Sequence, residues 1–238
     1  MGLKMSELDV TVKPERVRHM FGSIAPRYDL ANHVLSWGID FYWRKRAAAI
    51  VANWQPNKIV DLATGTGDLA LALQKKIPEA EIVGVDFLRE MVDMAKRKGV
   101  GQTVVADVMK LPFADGSFDC ATIAFGLRNM EDCAGALREM SRVLGVNGHV
   151  LILEFSLPTM PILRAIYRFY LHHCLPLLGS LLTKKKGAYE YLAVSIEQFP
   201  TGHRIAEFIA RNGFMQVRFK TLTGGIVTIY TATAMRNL

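Results

Sequence analysis

The sequence predicts an α/β fold in which a mostly parallel sheet is covered by helices on both faces. Short β-branched runs alternate with segments of helical periodicity along most of the chain. These runs are almost continuously apolar, as in strands that are buried on both faces. Near the end, two strand-like runs are divided only by Gly224 and Gly225, which is a hairpin signal. The sheet should therefore end in an antiparallel pair.

The strands and helices follow one another in a regular order. Strand-like runs lie at residues 59–63, 81–86, 103–107, 118–126, 149–155, 214–223 and 226–234. Between the first five runs, helical periodicity is clearest in DLALALQKK, FLREMVDMAKRK and EDCAGALREMSRVL. A later helix is expected in TGHRIAEFIARNG, where Gly213 is placed to end it.

Two regions depart from this alternation, residues 14–54 and 156–200. The second contains PILRAIYRFYLHHCLPLLGSLL, which is nearly all apolar or aromatic. Arg164 and Arg168 make insertion into a bilayer costly, and Pro176 should break a spanning helix. An amphipathic cap over an apolar pocket, or against a membrane surface, fits better.

The chain has the length and composition of a single domain. It has 238 residues, of which 50% are hydrophobic. We divide the expected domain, residues 1–238, into four parts: an N-terminal helical cap at 14–54, a cofactor-binding core at 55–155, a substrate- or membrane-facing insertion at 156–200, and a late helix with the terminal hairpin at 201–238.

Charge and cysteine content limit the classes of function. The 29 basic residues outnumber the 22 acidic ones, and a net charge of +7 suits nucleic acid, an anionic membrane or an anionic cofactor. Cys120, Cys133 and Cys174 form no CxxC pair and lie in apolar contexts, so we expect free thiols and a reducing cytoplasm. The N-terminal segment lacks the continuous apolar core of a secretory signal.

A glycine-rich turn connects the first strand to the next helix in VDLATGTGDLA, residues 60–70. Gly65 and Gly67 would let a ligand approach the backbone closely. The dinucleotide fingerprint requires a third glycine where this chain has Ala70, so a nicotinamide or flavin site is matched only in part. No phosphate-binding loop with a lysine is present, which argues against a triphosphate ligand.

Acidic residues mark the ends of three successive strands. They are Asp61, Asp86 and Asp107. A carboxylate at the position of Asp86 can accept two hydrogen bonds from ribose hydroxyls. Asp107, with Val108 beside it, can meet the edge of an adenine. Together with the glycine turn, these residues predict an adenosine ligand without a pyrophosphate, namely S-adenosyl-L-methionine.

Two longer blocks carry a family resemblance, VRHMFGSIAPRYDLANHVLSWGIDFYW and LPFADGSFDCATIAFGLRNMEDCAGALREMSRVL. In them the chain resembles the ubiquinone/menaquinone biosynthesis C-methyltransferase (UbiE) family, over nearly its whole length. The resemblance implies a class I methyltransferase fold, which is Rossmann-like with seven strands and a reversed last strand. It also implies transfer of a methyl group from S-adenosyl-L-methionine to a ring carbon of a prenylated hydroquinone. The acceptor would be demethylmenaquinol or a ubiquinone precursor, 2-methoxy-6-polyprenyl-1,4-benzoquinol.

The resemblance also implies the cofactor residues. Thr66 in the glycine turn, Asp86, and the pair Asp107 and Val108 match the family's cofactor contacts. A serine often precedes FGLRN in the family, whereas this chain has Ala124, so one hydroxyl contact is missing.

The expected catalytic residues lie in FGLRN and APRYDLAN. We place Arg128, Asn129 and Tyr28 against the oxygen of the hydroquinol. Arg128 stays protonated, so it would stabilise a phenolate or hold a water rather than act as a base. Ion pairing of Arg128 with Glu131 or Asp132, and ordinary packing of Tyr28, are the alternatives.

Three histidines, His33, His172 and His173, could act as bases, although each fits a surface or packing role better. Their spacing matches no metal site, and no metal is expected. Asp40 and Trp43 are expected to be structural.

The expected partners are the prenylated hydroquinone and an anionic membrane surface, which the lysines at 184–186 would contact reversibly. The protein would then be cytoplasmic, or peripheral at the inner face of the cell membrane; a homodimer remains open. A methyltransferase for another lipid-like molecule and an inactive cofactor-binding scaffold are the alternatives. No Asn-Pro-Pro-Tyr or cysteine motif of nucleic-acid methyltransferases follows the fourth strand, and no nucleic-acid partner is expected.

Overall fold

A computed structural model describes residues 28–183 and 186–235. The segment considered for a secretory signal and the first part of the expected N-terminal cap, residues 14–27, lie outside this range. So do Lys184 and Lys185.

Seven strands form one sheet with the order β3-β2-β1-β4-β5-β7-β6. They are β1 (Lys58–Leu62), β2 (Glu81–Asp86), β3 (Gln102–Val105), β4 (Phe118–Ala124), β5 (Leu144–Phe155), β6 (Phe214–Leu222) and β7 (Val227–Ala234). The pairs among β1 to β5 are parallel, and β7 is antiparallel to both of its neighbours. The expected mostly parallel sheet with a reversed last strand is confirmed.

Nine helices surround the sheet in the part of the chain that the structure describes. They are α1 (Tyr28–Leu35), α2 (Ile39–Ala52), α3 (Asp68–Lys76), α4 (Arg89–Lys98), α5 (Cys133–Val143), α6 (Pro161–Phe169), α7 (Leu175–Thr183), α8 (Lys186–Gln198) and α9 (His203–Arg211). No helix in the two described ranges combines the length and the apolar character needed to cross a membrane.

The helical run after β5 continues through Pro176, so the expected break is wrong. A π-helical turn, Tyr170–Cys174, joins α6 to α7. A proline cannot donate to the carbonyl four residues earlier, and its ring clashes with that carbonyl. The wider turn just before Pro176 relieves this conflict, because π-bulges are places where a helix changes its hydrogen-bond register.

Two strand ends differ from expectation. β3 ends at Val105, and Asp107 lies two residues beyond it. The carboxylate of Asp107 accepts a hydrogen bond from the Met109 N–H at 2.9 Å, and such a local turn competes with strand pairing. β4 ends at Ala124 because Phe125 has a φ of 58°, in the left-handed region.

Three groups of buried apolar side chains make up the core. One face of the sheet packs against α5 and α9, and the other face packs against α2 and α3. The third group belongs to α1 and α6 to α8, and contains Leu35, Tyr167, Leu171, Leu175, Tyr189 and Ile196. The predicted covering of both faces is confirmed. Cys120 and Cys133 are buried and Cys174 is half-buried, and none of the three forms a disulfide within the described residues, as expected.

The strand order places a crevice above β1 and β4. The chain moves outward from β1 to β2 and β3, and then returns to β4 on the other side of β1. Ligands of open α/β sheets bind at such a reversal, outside the carboxyl ends of the strands.

Candidate active site

A cavity of about 390 Å³ opens at the carboxyl ends of β1 and β4. Its polar end is formed by the glycine turn with Asp61, Thr64, Gly65 and Thr66. Its apolar end is formed by the insertion, with Tyr167, Leu171, Leu175, Tyr189 and Ile196 in the wall. One cavity therefore has a polar end and an apolar end, which suit ligand groups of different character.

The two glycines of the turn have different roles. Gly65 has a φ of 57°, and a Cβ atom at this position would meet nothing within 4 Å. Gly67 has a φ of 88°, and a Cβ atom there would lie 2.5 Å from Cγ2 of Val100. Gly65 is thus open to a ligand, whereas Gly67 is required by the conformation of the backbone and by packing against the end of α4.

Asp61 is a buried acid at the polar end of the cavity. Its carboxylate accepts hydrogen bonds from the hydroxyls of Thr64 and Thr122, both at 2.6 Å. Burial raises the pKa of Asp61 to about 6, although these hydrogen bonds and the charge of Arg44 act to lower the pKa. The nearby Asp86 carboxylate raises the pKa further. A cation in the cavity would favour the ionised form of Asp61.

Asp86 holds the glycine turn. One carboxylate oxygen accepts the Gly65 N–H at 2.9 Å, and the other accepts the Leu88 N–H at 3.0 Å. Burial raises the pKa of Asp86, and the backbone hydrogen bonds offset part of this rise. The Phe87 N–H also bonds to this carboxylate, whose two oxygens offer about four lone pairs, so acceptor capacity remains for a ligand. Asp86, the exposed Asp107 and the buried Val108 lie outside the cavity wall.

Charged contacts tie helix α1 to the glycine turn. The Thr66 hydroxyl donates to Asp29 on α1. Lys98, at the end of α4, donates to Asp29 at 2.9 Å and to the Thr66 oxygen at 3.2 Å, and it also pairs with Asp68. The N-terminal cap is therefore attached directly to the turn in which the cofactor was expected.

A second charged group lies beside the turn. His33 Nδ1 is 2.7 Å from Asp40, and His33 Nε2 is 3.8 Å from Asp68. Ligand atoms of these three residues lie within 4.8 Å of one another, a spacing that could hold a metal ion. However, the guanidinium of Arg44 pairs with Asp40 and lies 3.7 Å from Asp68. Burial acts to raise the pKa of Asp40, but the Ser36 hydrogen bond, the Arg44 charge and the contact with His33 together lower it. Arg44 therefore supplies the positive charge between the two carboxylates.

Arg128 lies in the cavity wall and is 6% exposed. Its Nη1 donates to Oε1 of Glu154 at 2.5 Å and to the Phe125 carbonyl at 2.7 Å. The guanidinium carbon is 5.1 Å from the centre of the Phe155 ring. The Nε–H of Arg128 is buried and has no hydrogen-bond partner among the described residues. Such a donor favours an acceptor from a ligand.

Glu154 is the partner of Arg128, so the alternative partners Glu131 and Asp132 are wrong. Asp132 instead caps α5 and accepts the Gly135 N–H at 2.8 Å. Glu154 lies on β5, is 1% exposed and was not predicted as a site residue from the sequence. The sequence does contain a sign of its role. Glu154 is an acid inside the apolar run VLILEF, and a carboxylate buried in this way requires a partner.

The other expected catalytic residues are placed differently. Asn129 donates to the Phe125 carbonyl at 3.3 Å and accepts the Tyr191 hydroxyl at 3.1 Å, and it lies outside the cavity wall. Tyr28 begins α1, and its side chain is outside the described residues. His172 pairs with Glu197 at 3.0 Å, outside the wall.

Two tyrosines near Arg128 were also missed. Tyr167 on α6 and Tyr191 on α8 line the cavity. Burial raises the pKa of each phenol, and the positive charge of Arg128 offsets part of the rise. Nothing in the sequence marks them, because aromatic residues are frequent throughout this region.

Comparisons with known proteins agree with this arrangement. Residues 9–234 match the model of the ubiE/COQ5 methyltransferase family. A demethylmenaquinone methyltransferase of Thermus thermophilus is 45% identical over 89% of this chain and 98% of its own length. A ubiquinone/menaquinone biosynthesis C-methyltransferase UbiE of Citrifermentans bemidjiense is 44% identical over 93% of this chain and 97% of its own.

Solved structures share the fold at low sequence identity. The plantazolicin methyltransferase BpumL, solved with S-adenosylhomocysteine and a substrate analogue, has a TM-score of 0.68 at 14% identity and covers 98% of both chains. Human N-acetylserotonin methyltransferase with S-adenosylmethionine has a TM-score of 0.63 at 19% identity, over 91% of this chain and 58% of its own. The chain therefore belongs to the ubiE/COQ5 family and is an S-adenosylmethionine-dependent methyltransferase.

Proposed function

We propose that the protein methylates a ring carbon of a prenylated hydroquinone, converting demethylmenaquinol to menaquinol. The observation that carries this proposal is the buried Nε–H of Arg128, a residue in the wall of a largely apolar cavity; this donor has no hydrogen-bond partner among the described residues. A ring oxygen of a hydroquinol would accept that hydrogen bond, and the apolar end of the cavity would take the prenyl tail. The names of the Thermus and Citrifermentans relatives support the same class of substrate.

The polar end of the cavity fits S-adenosyl-L-methionine. Asp61 and Asp86 are both buried, and Asp61 lies in the cavity wall, so this end favours a ligand with cationic groups. The open position at Gly65 admits the amino-acid part of the cofactor. We assign Asp86 to the ribose and Asp107 with Val108 to the adenine. The bound cofactor supplies an electrophilic methyl group.

The protein's own task is to make the acceptor carbon nucleophilic. A ring hydroxyl has a pKa of about 10, as a tyrosine does, and its phenolate is the reactive form. We assign to Arg128 the stabilisation of that negative charge, because its side chain is buried where charges interact strongly. Phe155 and Phe125, with ring centres 4.4 Å apart, provide flat apolar surfaces for the acceptor ring. Tyr28 and Asn129 remain our further candidates for contacts at the ring oxygen.

We assign the remaining parts of the chain as follows. The whole chain acts as one domain, in which residues 156–200 bind the tail. We place the protein in the cytoplasm at the inner face of the membrane, where the lysines at 184–186 would be attracted by anionic lipids.

The pKa of Asp61 makes cofactor binding depend on pH. In the cofactor-free protein this pKa is about 6, above its ordinary value of 3.8. The protonated carboxyl therefore stabilises the fold at low pH, and this contribution is lost as the pH rises through about 6. A cationic ligand instead requires the ionised form. We expect the affinity for S-adenosyl-L-methionine to fall up to about tenfold per pH unit below pH 6, as measured by calorimetry.

The matched variants are Asp61→Asn and Asp115→Asn. Asp115 is an exposed acid that pairs with Arg142, away from the cavity wall. Asp61→Asn should bind weakly and with little dependence on pH, whereas Asp115→Asn should follow the wild type. A wild-type affinity that does not change between pH 5 and pH 7 would remove Asp61 from the cofactor site.

Methyl transfer tests the proposed reaction directly. Purified protein is incubated with S-adenosyl-L-methionine carrying a labelled methyl group and with reduced demethylmenaquinol or 2-methoxy-6-polyprenyl-1,4-benzoquinol, in parallel. We expect label on the naphthoquinol ring. Label on the benzoquinol alone would move the protein to ubiquinone synthesis, and label on neither would overturn the proposed substrate class.

A further inference from the structure

The mouth of the cavity is apolar. Trp37, Ile39 and Ile166 line the cavity and are nevertheless 81%, 39% and 61% exposed. Residues that contact both the cavity and the solvent mark its opening. Trp37 belongs to the turn between α1 and α2, Ile39 begins α2, and Ile166 lies on α6. The opening therefore lies between the N-terminal helices and the insertion.

Exposed apolar side chains extend from the opening on both sides. On α6, Ile162 and Phe169 share a helix face with Ile166, because they are four and three residues away from it. On α2, Phe41 and Tyr42 are exposed. We call this set the mouth surface, and it comprises Trp37, Ile39, Phe41, Tyr42, Ile162, Ile166 and Phe169.

Exposed apolar side chains grouped around one opening mark an interaction site. Its composition indicates the kind of partner. Trp37 and Tyr42 combine an apolar ring with a polar group, as residues at the membrane–water boundary do. Lys45 and Arg46 lie one helical turn beyond Phe41 and Tyr42 and are also exposed. Aromatic residues flanked by cations match an anionic bilayer.

We propose that the mouth surface docks on an anionic lipid bilayer, so that the cavity opens towards the lipid. The proposal rests on the proposed function for one point, that the ligand carries a prenyl tail. A tail that crossed water would expose apolar surface in proportion to its length. With the mouth against the bilayer, the tail passes from lipid into the apolar end of the cavity.

Charge favours a bilayer over a second copy of the chain. In a two-fold symmetric contact the same patch is used by both copies, so Lys45 and Arg46 of one would be brought close to those of the other. Like charges oppose such a contact, whereas anionic head groups attract them. The surface also continues directly into the cavity, as a route for a lipid requires.

Vesicle binding tests the docking. Vesicles of phosphatidylethanolamine with phosphatidylglycerol are compared with vesicles of phosphatidylcholine alone. The double variant Tyr42→Gln with Ile162→Gln changes one residue on each side of the opening, and neither lines the cavity. We expect it to bind the anionic vesicles about tenfold less tightly than the wild type.

The control is the double variant Val146→Gln with Met215→Gln. Both residues are exposed and apolar, but they lie near the starts of β5 and β6, at the edge of the sheet opposite the cavity. This control should bind as the wild type does. Trp37 fluorescence should be quenched by vesicles with brominated acyl chains, and Trp37→Asn, which tolerates the local φ of 54°, should remove that quenching.

Three outcomes would overturn the docking. Equal vesicle binding by the wild type and the Tyr42→Gln/Ile162→Gln variant is the first. The second is loss of binding only when the lysines at 184–186 are replaced by glutamine, which would move the contact to that segment. The third is a wild type that is dimeric in sedimentation and becomes monomeric in the double variant with unchanged vesicle binding.

Activity separates this proposal from the proposed function. With a long-tailed quinol in vesicles, the Tyr42→Gln/Ile162→Gln variant should be about tenfold slower than the wild type, in proportion to its lower occupancy of the membrane. With a short-tailed, water-soluble quinol both proteins should react equally. If the wild type methylates neither quinol, the proposed function fails while vesicle binding still decides the docking.

Discussion

Arg128→Gln is expected to lower kcat roughly 100- to 1000-fold, the usual effect of removing one charge-stabilising donor. The stabilisation acts mainly when negative charge has developed on the ring oxygen, so the affinity for S-adenosyl-L-methionine should change little. Raising the pH should favour the variant more than the wild type, because hydroxide then supplies the phenolate. Arg128→Lys should recover only part of the rate, since an ammonium cannot replace the planar guanidinium. Single-turnover rates with reduced substrate across pH measure these effects.

Glu154 makes a second variant necessary. Removal of Arg128 alone leaves the Glu154 carboxylate buried without its cation, and breaking a buried ion pair costs about 3 to 5 kcal/mol of stability. In Arg128→Gln/Glu154→Gln two amides replace the pair, so much of the stability should return. The rate should stay low. If the double variant recovers both stability and rate, Arg128 has only a structural role.

Asp86→Ala should weaken cofactor binding by about 1.5 to 3 kcal/mol, on the scale of hydrogen bonds to a charged group. The substitution removes the proposed ribose contact. It also leaves the N–H groups of Gly65 and Leu88 without their acceptor, so the glycine turn loses its fixed shape. Calorimetric titration of the folded variant gives the affinity for the cofactor. Thermal unfolding without cofactor reports the loss of stability that comes from the turn alone.

A mild substitution separates the two roles of Asp86. Asp86→Asn keeps one carbonyl acceptor and the size of the side chain, and should therefore keep more of the turn while losing the charge. Ser117→Ala serves as the control, because within the described part of the chain the Ser117 hydroxyl bonds only to the exposed loop carbonyl of Ala114. Unchanged cofactor affinity in both Asp86 variants would contradict the proposed cofactor site.

Features that depend on neighbours in the sequence were predictable. The alternation of apolar strands with amphipathic helices requires a covered parallel sheet, and the glycine pair before β7 requires a tight reversal. The turn at Gly65 and the buried acids Asp61 and Asp86 were also visible, because strand ends in such sheets meet at one edge.

Features that depend on distant contacts were not predictable. The pairing of Arg128 with Glu154 joins residues on either side of α5, and no local pattern selects this acid over Glu131. The need for a glycine at position 67 comes from Val100, which α4 brings against the turn. The continuation of the helix through Pro176 depends on a change of hydrogen-bond register that composition does not encode.

The third group of core residues, which belongs to α1 and α6 to α8, has a consequence for local stability. Its buried residues, such as Leu35, Leu171 and Ile196, pack chiefly with one another rather than with the two cores on the sheet. Cooperative units that share few buried contacts with the rest of a protein unfold at a lower free energy than the whole molecule. These helices can therefore open transiently while the sheet and its glycine turn stay folded. Amide hydrogens of α6 to α8 would then exchange with solvent ahead of those in β1 and β4.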